Sequence, residues 1–165
     1  MRKRRKDVAA SETQNEARSV HPSAAPVFGP GLTLVATPIG NMGDLPPRAL
    51  ATLKAADAVL CEDSRTTGAM LTRLGVQARL IPLHDHNEAT QLPQIMEMLA
   101  RGQSLALVSD AGTPLVSDPG FRLVRAAIAA GLPISAIPGP NAAAMALILS
   151  GLPPQPFLFE GFLPP

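Results

Sequence analysis

A chain of 165 residues, 46% of them hydrophobic and 16% charged, carries enough apolar material for one compact domain and excludes a fibre or a wholly disordered protein. The formal net charge of +1 hides an asymmetry, because residues 2–6 hold five of the 14 basic side chains and leave the remainder mildly acidic. One cysteine and five phenylalanines, with no tryptophan or tyrosine, exclude an intramolecular disulfide framework, a cysteine zinc cluster and an aromatic platform for stacking single-stranded bases.

The first 30 residues lack an apolar period and consist largely of Ala, Ser, Glu, Gln, Pro and charge, so they are predicted to form a disordered basic tail. No apolar core follows the basic start, which argues against a secretory signal. The tail reads either as a solvated extension or as a non-specific phosphate anchor. Further on, no apolar run approaches the roughly 18 residues of a membrane span. A soluble protein of the reducing cytoplasm is expected.

From Leu32 two kinds of segment alternate. Short apolar runs at Leu32–Ala36, Ala58–Cys61, Arg79–Ile81, Ser104–Val108 and Pro133–Ile137 have strand length. Between them lie stretches with helical spacing, such as Leu50, Leu53, Lys54 and Asp57 after Pro46-Pro47, or Leu123, Val124, Ala127 and Ile128 after Asp118-Pro119-Gly120. Strands that are apolar throughout suit a parallel sheet buried on both faces, with helices as right-handed crossovers. The predicted fold is therefore α/β, a five-stranded, mainly parallel open sheet with helices on both faces. The expected division is a tail at 1–30 followed by an α/β domain beginning at 31.

Such sheets bind ligands beyond the carboxyl ends of their strands. Three small-residue loops lie there. Thr37–Asp44 has two glycines but neither a Walker ending nor dinucleotide-turn spacing, so alone it reads as a tight turn. Ser109–Gly120 has small residues that permit close main-chain approach, and Asp110 can accept hydrogen bonds. Pro138–Ala142 opens a helix whose free N–H groups face the same edge.

The segments LVATPIGNMGDL, CEDSRTT, HDHNE, VSDAGTPLVSDPG, PGPNA and SGLPPQPFLFEGFLPP, in this order, closely resemble the tetrapyrrole methylase superfamily, and within it the branch that methylates cytidine 2′-hydroxyls of small-subunit (16S) ribosomal RNA. The resemblance covers about Gly31 to Pro165. It implies an S-adenosylmethionine-dependent methyltransferase of two α/β domains, usually a homodimer, acting on the ribosomal RNA or the assembled small subunit, with cofactor in the cleft between its domains. By the family pattern, Pro38 and Ile39 would line the cofactor, Asp110, Ala111, Gly112 and Thr113 would contact it with Val116 nearby, and Asn141 and Ala142 would close the site. The family more often has serine where Asn141 stands. The resemblance also implies that an S-adenosylmethionine-binding α/β domain at 31–155 is followed by a linker beginning at 156–165 and by a second domain after the Gly161-Phe162-Leu163-Pro164 segment, so the sequence is expected to be a truncated form or a fragment. Alternatives are a tetrapyrrole or cobalamin-precursor methylase, or a non-catalytic fragment that binds cofactor or dimerises.

Methyl transfer from a sulfonium to a ribose hydroxyl relies on alignment, helped by a base. Candidate catalytic groups are Glu62, Asp63 and Arg65, then His86 and Glu88, with His84, Asp85 and Asn87 alongside. Glu62 and Asp63 equally suit a helix N-terminus, and the histidines a loop without catalysis. His84, His86 and Glu88 offer too few ligands in too short a span, so no metal is expected. Cys61 reads as a small core hydrophobe.

Overall fold

The structure, a computed structural model, describes residues 29–163; all but the last two residues of the predicted tail lie outside that range. Strands and helices alternate strictly. In order they are β1 (Gly31–Val35), α1 (Pro47–Ala55), β2 (Ala58–Cys61), α2 (Ser64–Arg73), β3 (Leu80–Pro82), α3 (Glu88–Ala100), β4 (Ser104–Val108), α4 (Phe121–Ala129), β5 (Ile134–Ile137) and α5 (Ala142–Leu149). The five strands form one sheet in the order β3-β2-β4-β1-β5, and every pairing is parallel. The α/β class and the five-stranded sheet agree with the sequence expectation.

The reason the strands read as continuous apolar runs is visible in β4, whose side chains alternate between two cores. Leu105 and Leu107 join Leu60, Ile95, Leu99 and Leu123, from β2, α3 and α4. Ala106 and Val108 join Val59, Ala49, Leu53 and Leu71, from β2, α1 and α2. Helices thus cover both faces, as parallel crossovers require.

Strand ends shift by one residue from expectation. Ala36 and Arg79 fall outside the ladders, Gly31 and Pro82 enter them, and Pro133 precedes β5 while its carbonyl accepts the Leu32 N–H at 2.9 Å. Asp57 is not helical. Its N–H donates to the Ser104 carbonyl at 2.9 Å and its carboxylate accepts the Ser104 N–H at 2.7 Å, which pins the entry of β2 beside β4.

Helix α5 differs from the others. Its sequence is apolar all round and none of its residues is buried. Ile148 and Leu149 are 64% and 82% exposed, and Leu152, Phe157, Leu158, Phe162 and Leu163 continue the uncovered apolar surface. Exposed apolar surface of this extent favours association. The chain is expected to self-associate as its concentration rises, and the double variant Ile148→Glu, Leu149→Glu to do so much less. Sedimentation velocity reads the difference, and equal association of the two proteins would refute this role for α5.

Candidate functional site

The direction of chain crossover reverses between β4 and β1. β1 connects across β4 to β2, whereas β4 connects across β1 to β5, so a crevice opens beyond the carboxyl ends of β1 and β4. The loops after these strands are sewn together there. Thr37 and Gly112 exchange two backbone hydrogen bonds, of 2.8 and 3.1 Å, across an antiparallel bridge. The Thr37 hydroxyl donates to the Ser109 carbonyl at 3.0 Å, and the Ser109 hydroxyl donates to the Gly112 carbonyl at 2.9 Å. The loop after β5 is tied in by Thr113, whose hydroxyl donates to the Pro140 carbonyl at 3.0 Å and accepts from the Asn141 amide at 3.3 Å. Asn141 also caps α5, accepting the Ala144 N–H at 2.9 Å.

Backbone strain concentrates in the same place. Leu115 and Ser117 both adopt positive φ, 70° and 65°, a conformation that non-glycine residues hold only where the surroundings impose it. Gly112 has φ of 87°, and a Cβ there would sit 3.4 Å from the Ile39 side chain. A bare main chain therefore lines the crevice where a ligand approaches.

Two adjoining hollows result. One, of about 130 Å³, is lined by Ile39, Ala111, Gly112, Thr113, Val116, Asn141, Ala142, Ala143 and Phe159. The other, of about 370 Å³, runs from Ile39 along Gly139, Pro140 and Asn141 to Met145. Ile39, Ala111, Gly112, Thr113, Val116, Asn141 and Ala142 thus come together. Pro38 and Asp110 lie instead on a third cavity, between the loop after β1 and α2. Phe159, from the chain after α5, is half exposed and lines the first hollow. Its participation was not legible in sequence, because it depends on the chain after α5 folding back past the loop after β4.

The charged candidates separate into distinct roles. Asp63 is the N-cap of α2, accepting the Arg65 N–H at 2.8 Å, and its carboxylate also pairs with the Arg65 guanidinium at 2.8 and 3.2 Å. These bonds hold Asp63 down to about 2 and raise Arg65 above its ordinary value. Glu88 is buried, and its carboxylate accepts the Leu123 N–H at 3.0 Å, satisfying an orphan donor at the start of α4. One Asp110 carboxylate oxygen accepts the Asp63 N–H at 3.2 Å, joining the β4 and β2 ends. Glu62 makes none of these bonds. Its carboxyl is raised above the ordinary range, first by desolvation and then by repulsion from Asp110, Asp118 and Asp85, with His84 opposing. Asp118 is raised too, by desolvation and by repulsion from Asp110.

His86 is exposed, its ring edge-on to His84 with centroids 6.1 Å apart. Asn87 fixes this loop, donating to the Pro82 carbonyl and accepting the His84 N–H. Among the described residues no group of three or more His, Cys, Asp or Glu side chains is arranged for a metal ion. Cys61 is fully buried at the end of β2, and desolvation pushes its thiol up to about 11. It is part of the core, as expected. No helix among the described residues is long and apolar enough to cross a membrane.

Comparison with known proteins agrees with this geometry. Ribosomal RNA small subunit methyltransferase I of Xylella fastidiosa is 55% identical over 133 residues, covering 81% of this chain and 49% of the relative. The protein of that name from Mesorhizobium japonicum is 55% identical over 135 residues, covering 82% and 46%, and that from Escherichia coli O157:H7 is 50% identical over 133, covering 81% and 46%. The chain spans about half the length of the curated relatives it matches. Among solved structures, uroporphyrin-III-C-methyltransferase from Thermus thermophilus superposes with a TM-score of 0.56 at 26% identity, covering 74% of this chain and 54% of the other. Residues 31–159 match the family of Tetrapyrrole (Corrin/Porphyrin) Methylases. A parallel sheet in this strand order, a crevice of small-residue loops beyond β1 and β4, and that match over most of the chain place this protein in the tetrapyrrole methylase family.

Proposed function

We propose that the chain is the cofactor-binding half of an S-adenosylmethionine-dependent methyltransferase that modifies the 2′-hydroxyl of a cytidine ribose in small-subunit ribosomal RNA. The observation that carries the reading is the three-loop crevice, together with about 50% identity to relatives named for ribosomal RNA methylation against 26% to a tetrapyrrole enzyme. Residues 31–155 form the cofactor-binding unit in this reading, and 156–165 begin a link to a second part, in keeping with relatives about twice as long. The setting is cytoplasmic, and a homodimer is the proposed assembly.

The residues present fit the cofactor. The bare backbone at Gly112 gives a flat ligand room beside Ile39, and Val116 and Phe159 add apolar surface. Thr113 and Asn141 hold two walls of the hollow at a fixed separation. The free N–H groups at the start of α5 supply donors. When bound, the cofactor supplies an electrophilic methyl group on a sulfonium. The protein contributes alignment, the larger share of the acceleration for such a displacement. Proton removal falls to Glu62, whose carboxyl is not committed to Arg65 or to a helix start as Asp63 and Glu88 are, and whose raised proton affinity suits a general base.

Titration calorimetry of the chain with S-adenosylmethionine tests the proposal. Saturable binding is expected, weaker than in a cleft with two complete walls, and incubation with labelled cofactor and unmodified small subunits locates any transferred methyl. No saturable binding, or a methyl on a base instead of a ribose, would overturn it.

A further inference from the structure

We infer that the groove between the loop after β1 and helix α2 is the seat of the acceptor ribonucleotide, an assignment that rests on the methyl-transfer reading above. The groove encloses about 290 Å³ and is lined by Pro38, Gly40, Met42, Thr66, Ala69, Met70, Arg73 and Asp110. Its position follows from the strand order. With β4 between β2 and β1, Asp110 floors a groove whose walls come from the chain after β1 and the chain after β2.

The chemistry of the lining is that of a nucleotide in three parts. Thr66, Ala69, Met70 and Arg73 follow the spacing of one helical face, while Thr67 and Leu71 of α2 are buried on the opposite side. Met70, Met42 and Pro38 give the apolar surface a base needs where no aromatic ring is available. Arg73 stands exposed at one end and makes no ion pair among the described residues, so its guanidinium is available to a phosphate. Asp110 stands at the other end, adjacent in sequence to the cofactor loop Ala111–Thr113 and close enough to Glu62 to raise its carboxyl. A nucleotide with its phosphate on Arg73 and its ribose at Asp110 presents the 2′-hydroxyl to the proposed base and to the proposed cofactor hollow. The mildly acidic surroundings would otherwise repel an RNA backbone, and Arg73 offsets that repulsion locally.

The test compares a labelled single-stranded ribo-oligonucleotide containing cytidine with its 2′-deoxy counterpart by fluorescence anisotropy, with cofactor binding of each protein read by calorimetry. The basic run at residues 2–6 is common to all variants, so the ribose-over-deoxyribose preference and its change isolate the groove. Arg73→Gln is expected to weaken ribo-oligonucleotide binding roughly tenfold, the size of one lost charge-assisted bond. Ala69→Phe, at an exposed helix position, is expected to fill the groove and abolish the ribose preference. Both variants keep cofactor affinity and their thermal unfolding. Unchanged RNA affinity and preference in both would overturn the groove, whatever the cofactor does. Groove-dependent RNA binding by a protein with no cofactor heat would uphold the groove and overturn the methyl-transfer reading. If Ala69→Phe fails to fold, Arg73→Gln decides alone.

Discussion

Gly31→Ala is expected to lower the unfolding free energy by on the order of 3 kcal/mol, the sum of backbone strain and a clash that cannot relax. Gly31 opens β1 with φ of 128°, outside the range an L side chain adopts readily. A Cβ there would lie 2.4 Å from the Pro133 carbonyl oxygen. That oxygen cannot retreat, because it accepts the Leu32 N–H that starts the β1–β5 ladder, while Gly31 itself donates to Gln103 on the other side at 3.0 Å. The substitution therefore strains both neighbours of β1. Gly102→Ala separates the two causes: φ is 78°, but the space is open, so only strain of about 1 kcal/mol remains. Urea unfolding midpoints measure both, and equal losses would show that the clash contributes nothing.

Asp110→Ala is expected to reduce S-adenosylmethionine affinity by on the order of 1.5 to 3 kcal/mol, tenfold or more, with the fold retained. Asp110 is half-buried, its carboxylate takes the Asp63 N–H at 3.2 Å, and it immediately precedes Ala111–Thr113, the run proposed to line the cofactor. Truncation removes that charge-assisted bond and releases the β4 loop from the β2 end. Calorimetry measures the affinity, and thermal unfolding is the control. Affinity equal to that of the parent protein would remove Asp110 from the site.

The crevice depends on the sheet beneath it. Its walls are loops, held by a handful of hydrogen bonds such as Thr37 to Ser109 and Thr113 to Pro140, while rigidity comes from the ladders beneath. Loops placed on a firm sheet can be rich in strained and small residues without endangering the fold. Leu115 and Ser117 are examples, with positive φ only a few residues beyond β4.

Local chemistry is legible in the chain before it folds. Strands buried on both faces read as apolar runs, so Ala58–Cys61 and Leu105–Val108 are legible without any partner. The Asp63 cap is legible too, because its partner Arg65 is two residues away. Small residues after β1, β4 and β5 marked the loops that meet. Tertiary structure alone decided which distant groups join. The Glu88 carboxylate is occupied by a backbone N–H 35 residues later, and no local pattern distinguishes it from Glu62, which stays uncommitted. The strand ends at Gly31 and Pro82 depend on cross-strand hydrogen bonds, not on side-chain polarity. The groove on α2 was hidden for the same reason: Thr66, Ala69, Met70 and Arg73 form a wall only because the order β2-β4-β1 sets Asp110 beneath them and Pro38 opposite. Helical and strand periods are properties of a segment, whereas a site is a property of the order in which segments pair.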